Sequence, residues 1–307
     1  MRKSTLLLLA LSLVLVSCRA SAAETSAPTT VPAPASPFPV VVATDLGPVT
    51  IDSSPARVVS LSATATEMLY AVGAGDQIVA TDLTSNFPSE AESTTKIDSF
   101  NFNAEEVAAL NPDLVILAFD FQGEGEALTA LSIPFLLLGP PIDLEGALSQ
   151  LLTVGLATGH LNSAENLVSA LAAEVDALTT AAAPVRGVTF FHEVDETLYS
   201  ATSASFIGNI YQRLGLVNIA DGVESVGPYP QLSAEYIVDQ DPDFIFLADA
   251  NFGVTTESVA DRPGWDTVAA VVDGNVVPLD GDIAGRWGPR TVDLMRGILE
   301  AVEAGMR

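Results

Sequence analysis

A 15-residue stretch occurs twice in this chain. Asn103-Ala-Glu-Glu-Val-Ala-Ala-Leu-Asn-Pro-Asp-Leu-Val-Ile-Leu117 returns 130 residues later as Ser233-Ala-Glu-Tyr-Ile-Val-Asp-Gln-Asp-Pro-Asp-Phe-Ile-Phe-Leu247. Each copy reads as an N-capping residue, a short helix, a proline that ends it, and an unbroken apolar run suited to a buried strand. The same offset pairs Val58-Val-Ser-Leu-Ser62 with Val188-Thr-Phe-Phe-His192, two runs of strand length that open their halves of the chain. A helix ending at glycine follows each, over Thr66 to Gly73 and Ile207 to Gly215, and then a strand over Gln77 to Thr81 and Val217 to Ala220. Strands alternating with helices predict an α/β fold of two similar lobes, each a mostly parallel sheet with helices on both faces.

Leu144 to Thr158 and Ser163 to Ala182 show helical spacing, with Leu167, Leu171, Val175 and Leu178 recurring at threes and fours. A single long helix of about 30 Å then joins the lobes and limits their hinge, leaving a ligand cleft between them. The expected boundaries are an N-terminal lobe over 40–159, a linking helix over 160–183 and a C-terminal lobe over 184–307.

The N-terminus carries Arg2 and Lys3, an apolar run from Leu6 to Val16, and the small residue Ser17 before Cys18. The run is about half of the roughly 20 residues that a spanning helix needs, and its flanks predict a cleaved signal peptide over 1–17. Leu15-Val-Ser-Cys18 resembles a lipobox, so the chain's only cysteine is expected to carry the lipid anchor. No second cysteine exists to form an internal disulfide. Residues 18–39, rich in Ala, Ser, Thr and Pro, read as a flexible tether. The expected location is outside the cell, anchored on the outer side of the cytoplasmic membrane.

Acidic residues number 39 against 12 basic, a formal net charge of −27. That excess disfavours nucleic acid and docking on anionic lipid through a basic patch, and it argues against a strongly anionic ligand. No nucleophile elbow, zinc-protease helix or phosphate-binding loop is present, and no His, Cys and carboxylate cluster has metal-ligand spacing. The expected metal-ligand and catalytic sets are therefore empty, and the chain is read as a non-enzyme. A cleft hydrolase using Asp120 and Glu193 as a carboxylate pair is the enzymatic alternative.

Ligands of parallel sheets gather beyond the carboxyl ends of the strands. That rule selects Ser62, Ala63 and Thr64 after the first strand, Asp82 to Phe87 after the second, Phe119 to Phe121 after the third, and His192, Glu193 and Asp249 to Phe252 in the second lobe. Phe100, just before the repeated helix, adds to an apolar wall. His192 could reach a bound metal as neutral imidazole, although a hydrogen-bonded structural role is the plainer reading.

Five segments carry a resemblance: Arg57-Val-Val-Ser-Leu-Ser-Ala-Thr-Ala-Thr-Glu67, Leu110-Asn-Pro-Asp-Leu-Val115, Tyr229-Pro-Gln-Leu-Ser-Ala-Glu235, Arg262-Pro-Gly-Trp265 and Arg286-Trp-Gly-Pro-Arg290. In order and spacing, from residue 40 onward, the sequence resembles the substrate-binding proteins of ABC importers for ferric siderophores, haem and vitamin B12. The resemblance implies a monomeric carrier that binds a metal chelate, a ferric siderophore or cobalamin, and hands it to an ABC permease dimer with a cytoplasmic ATPase. It implies that Glu67 and Glu235, one on each lobe, dock on permease arginines. It also puts Tyr229 where vitamin B12 binders pack a tryptophan on the ligand, and sets Arg286, Trp287 and Arg290 near the cleft mouth. A lipid-anchored sensor of the same fold is the alternative.

Overall fold

A computed structural model describes residues 37–44 and 46–307; the expected signal peptide, Cys18 and most of the tether lie outside the described residues. An antiparallel hairpin, β1 (Val40–Val42) and β2 (Val49–Ile51), precedes the first lobe. That lobe runs β3 (Val58–Leu61), α1 (Ala63–Val72), β4 (Ile78–Asp82), α2 (Ser89–Glu92), β5 (Thr95–Ile97), α3 (Ala104–Ala109), β6 (Leu114–Leu117), α4 (Glu124–Ala130) and β7 (Phe135–Leu137). Two helices follow, α5 (Leu144–Thr158) and α6 (Leu161–Ala181). The second lobe runs β8 (Thr189–Glu193), α7 (Phe206–Arg213), β9 (Val217–Asn218), α8 (Ala234–Gln240), β10 (Phe244–Leu247), α9 (Thr256–Ala260), α10 (Ala269–Val272), β11 (Val276–Pro278), α11 (Gly281–Ala284) and α12 (Thr291–Gly305). All pairings within the lobes are parallel, in the orders β5-β4-β3-β6-β7 and β11-β10-β8-β9. The α/β architecture of two parallel-sheet lobes is thus the one the repeat predicts.

The repeat has a physical basis at each position. Asn103 Oδ1 accepts from Glu105 N at 3.0 Å, and Ser233 Oγ accepts from Tyr236 N at 3.1 Å, so both cap their helices. Asn111 and Asp241, the equivalent residues before the two prolines, both take the left-handed φ of 47°, a conformation that Asn and Asp tolerate best among residues with a side chain. Two residues on, Asp113 Oδ2 accepts from Ala56 N at 2.8 Å and Arg57 N at 3.0 Å, and Asp243 Oδ2 accepts from Thr189 N at 2.8 Å. Each aspartate therefore clamps the start of its lobe's central strand.

Register corrects one part of the sequence reading. Val58 pairs with Leu114, whereas Leu114's repeat mate Phe244 pairs with Phe190, so the central strands are offset by 132 residues rather than 130. An even slip keeps every side chain on its own face, so the apolar pattern alone did not expose it. As a result β8 extends through Glu193, and His192 lies inside a strand instead of beyond its end.

Along β3 and β6 the two faces separate cleanly. Val58, Leu114 and Ile116 join a core that also takes residues from α1, α5, α6, α7 and α12, while Val59, Leu61, Val115 and Leu117 join a smaller core on the first lobe's other face. Phe191, Ile245 and Leu247 do the same in the second lobe. The large core is continuous between the lobes, with Ala164, Leu171 and Val175 of α6 buried in it. The linking helix is thus bedded on both lobes. Among the described residues no helix is long and apolar enough to cross a membrane.

Gly155 lets α5 and α6 approach: a Cβ there would sit 2.4 Å from Ala164 Cβ and 3.1 Å from His160 O. Gly155→Ala is expected to destabilise the protein by about 3 kcal/mol through overpacking of the helix pair. Gly297→Ala, in the exposed face of α12 with nothing within 4 Å of the added Cβ, is expected to gain about 1 kcal/mol. Urea denaturation midpoints of the two variants check both signs.

Candidate functional site: an interlobe cavity

A cavity of about 430 Å³ lies at the carboxyl ends of β3, β4 and β6, roofed from the second lobe by the segment from Gly281 to Trp287. Its lining includes Ser62, Ala63, Thr64, Phe100, Phe119, Phe121, Arg286 and Trp287, so eight of the residues selected from sequence meet on one wall. Ser62 also caps α1, its Oγ accepting from Ala65 N at 3.2 Å, which fixes the loop at the cavity floor. Phe119 and Phe121 stack with centroids 4.9 Å apart, and Phe119 meets the Trp287 edge at 6.4 Å. Phe100 and Phe121 are 72% and 81% exposed, an arrangement that leaves an aromatic surface open to solvent at the cavity mouth.

Glu67 is not where the sequence reading put it. Its side chain is 1% exposed and forms the centre of an ion cluster between the lobes. Oε1 accepts from Arg286 Nη1 at 2.8 Å and Arg290 Nη2 at 2.5 Å, and Oε2 accepts from Arg290 Nε at 2.9 Å. A buried carboxylate already bonded to two guanidiniums offers nothing to an arginine of another protein. Arg286 is equally committed: Nη1 also donates to Asn86 Oδ1 at 2.9 Å, and Nη2 donates to Thr84 O at 3.0 Å and Asp282 Oδ1 at 2.8 Å. It lines the cavity, but not as a free fork for an anion. Arg290 stacks its guanidinium over Phe87 at 4.2 Å from the ring centroid, and Trp287 Nε1 donates to Gln150 Oε1 at 2.9 Å. Lobe two is thereby tied to α1, α5 and the loop after β4.

The remaining sequence-selected residues fall elsewhere. His192 is buried, with Nδ1 at 3.0 Å from Tyr211 Oη, and burial lowers its pKa to about 4. It is a neutral structural imidazole and does not line the interlobe cavity. Tyr229 is half-exposed and Phe252 is exposed, and neither lines the interlobe cavity; Phe252 instead borders a smaller hollow with Glu196, Ser258 and Arg262. Glu193, one half of the proposed hydrolase pair, is fully buried and held by Arg262 through two bonds of 2.6 Å, while Asp120 Oδ1 accepts from Gly125 N. Glu235 is exposed in the first turn of α8.

Sequence reasoning missed two things. Glu124 and Asp282 also line the cavity, and together with Asp82 and Thr84, which the strand-end rule selects, they add polar groups to the aromatic ones. The repeat mate of Glu235 is Glu105, which is exposed in the first turn of α3; the repeat itself carried that signal.

Removing the Glu67 charge leaves the largely buried Arg290 without its carboxylate and Arg286 with Asp282 alone. Glu67→Gln is expected to cost about 3 kcal/mol of stability, against less than about 0.5 kcal/mol for Glu235→Gln on the surface, read by chemical denaturation. Asp249 provides a pH test. It is 3% exposed with neither carboxylate oxygen hydrogen-bonded, and burial, then the neighbouring Glu193 charge, raise its pKa to about 6. A raised carboxyl pKa contributes stability below the unfolded value near 4 that disappears as pH rises through about 6. Asp249→Asn is therefore expected to be more stable than the parent by about 1–3 kcal/mol at pH 7.5, with the difference vanishing near pH 4 in parallel thermal melts.

A family model described as periplasmic binding protein matches residues 58–283. An ABC transporter substrate-binding lipoprotein of Bacillus subtilis is 26% identical over 263 residues, covering 83% of this chain and 82% of the relative. A cobalamin-binding protein of Halobacterium salinarum is 27% identical, covering 82% of this chain and 71% of the relative. Among solved structures, the periplasmic vitamin B12 binding protein of Vibrio cholerae superposes with a TM-score of 0.71 at 23% identity, over 83% of this chain and 99% of that one. The matched span takes in both lobe sheets and all of the cavity lining except Gly285, Arg286 and Trp287: this chain belongs to the periplasmic binding protein family.

Proposed function

We propose that the protein is the extracytoplasmic substrate-binding component of an ABC importer, that it captures a metal chelate of the cobalamin or ferric siderophore class, and that Cys18 anchors it to the membrane. The observation that carries the ligand class is the cavity wall of Phe100, Phe119, Phe121 and Trp287. It is a broad aromatic surface, partly open, at the sheet ends where ligands of parallel folds bind. A chelate larger than the cavity can rest on this wall and project past it. The names of the B. subtilis and H. salinarum relatives support the transport role and the corrinoid option.

Handover follows from the continuous core. Lobes joined by a bedded helix move little, so the loaded protein is recognised chiefly by its surface. Glu105 and Glu235, exposed at equivalent places on the two lobes, suit charge pairing with two like subunits of a permease, which orients the encounter more than it tightens it. These replace the Glu67 and Glu235 pair.

Trp287 lies on the cavity wall and Trp265 is buried beneath Arg262, so ligand entry is expected to quench only the former. Titrating the purified protein with cyanocobalamin and with ferric siderophores should give saturable quenching that Trp287→Phe abolishes. Quenching by none of them would discard the chelate reading. In cells, Glu105→Ala with Glu235→Ala should abolish import while the same titration stays unchanged; import that survives the pair would discard the docking assignment.

A further inference from the structure

We infer that the cavity selects uncharged or cationic chelates and rejects polyanionic ones; this deepens the reading just proposed and rests on it. The lining carries three carboxylates, Asp82, Glu124 and Asp282, against one basic side chain, Arg286. That arginine is spent on its own neighbours. Four of its five N–H donors go to Glu67, Asn86, Thr84 and Asp282, so an anionic ligand would have to break those bonds before gaining any of its own.

The charges behind the wall do not alter the balance. Glu67 and Asp282 offset Arg286 and Arg290, a neutral set of four, and this leaves Asp82 and Glu124 facing the cavity without a cationic partner. Asp82 is satisfied by neutral donors, the hydroxyls of Thr84 and Ser85, and Glu124 Oε2 accepts from Gln122 N at 2.7 Å. These bonds hold the carboxylates in place and cancel none of their charge. Lys96 of β5 does not line the cavity and donates to Thr81 Oγ1 at 3.0 Å, Ser85 O and Ala91 O. The site therefore combines an aromatic wall with a negative floor. A catecholate chelate of charge 3− or a haem with two propionates meets repulsion there, whereas a corrinoid or a ferric tris-hydroxamate does not.

Equilibrium dialysis of the full-length protein against cyanocobalamin, an uncharged ferric tris-hydroxamate and a ferric tris-catecholate tests this. At low ionic strength, at least one uncharged chelate is expected to bind about 100-fold or more tightly than the tris-catecholate, with the gap narrowing in about 1 M salt. Asp282→Asn should raise the tris-catecholate affinity relative to the uncharged chelate by about tenfold. A tris-catecholate that binds as well as the uncharged ligands, or a ratio unmoved in Asp282→Asn, overturns the inference and leaves the chelate-carrier reading standing. Binding of no chelate of either charge overturns that reading, and the inference with it.

Discussion

A carboxylate shared by two arginines holds this molecule in its present form. Glu67 grows from the first helix of lobe one, Arg286 and Arg290 lie just before the last helix of lobe two, and the three meet where water is nearly excluded. Two ions removed from water cost several kcal/mol each, and only close, multiply bonded geometry recovers that cost. Here every carboxylate lone-pair direction in use points at a guanidinium, and Asn86, Thr84 and Asp282 take up three more of the five donors of Arg286. The cluster fixes the lobes relative to each other and forms part of the cavity wall in the same stroke.

That dual use explains the character of the site. An arginine that must hold two lobes together is poorly placed to serve as a movable fork for ligand anions, and in the proposed function recognition falls to the aromatic groups and to the shape of the sheet ends. Beneath the cluster, the core shared by α1, α5, α6, α7 and α12 removes most freedom for a wide hinge.

Some of this was legible along the chain and some was not. The repeat exposed the lobes because its signals are local: a capping side chain, a left-handed residue before proline, an aspartate that clamps a strand. The aromatic wall was found because the rule of strand ends depends only on where strands stop. His192 was misplaced for the same reason, since an even slip in register carried the end of β8 past it without disturbing the apolar pattern. Tyr229 and Phe252 were chosen by position in a motif or beyond a strand, and neither lines the cavity. Glu67 was read as a surface acid, although α1 is apolar around nearly its whole circumference and a lone acid on such a helix has nowhere to go but inward.

By itself the sequence determined two α/β lobes, the helices between them, and the aromatic residues offered at the ends of the first sheet, because each follows from contacts between residues near one another in the chain. Only the tertiary structure decided that Glu67 is a buried lock rather than a docking point, that His192 is structural, and that four of the five donors of Arg286 are spent on neighbours. Those outcomes depend on partners 200 or more residues away or on the register of neighbouring strands. No local pattern records such distances, since burial and pairing of a charge are properties of the folded neighbourhood and not of the residue that carries it.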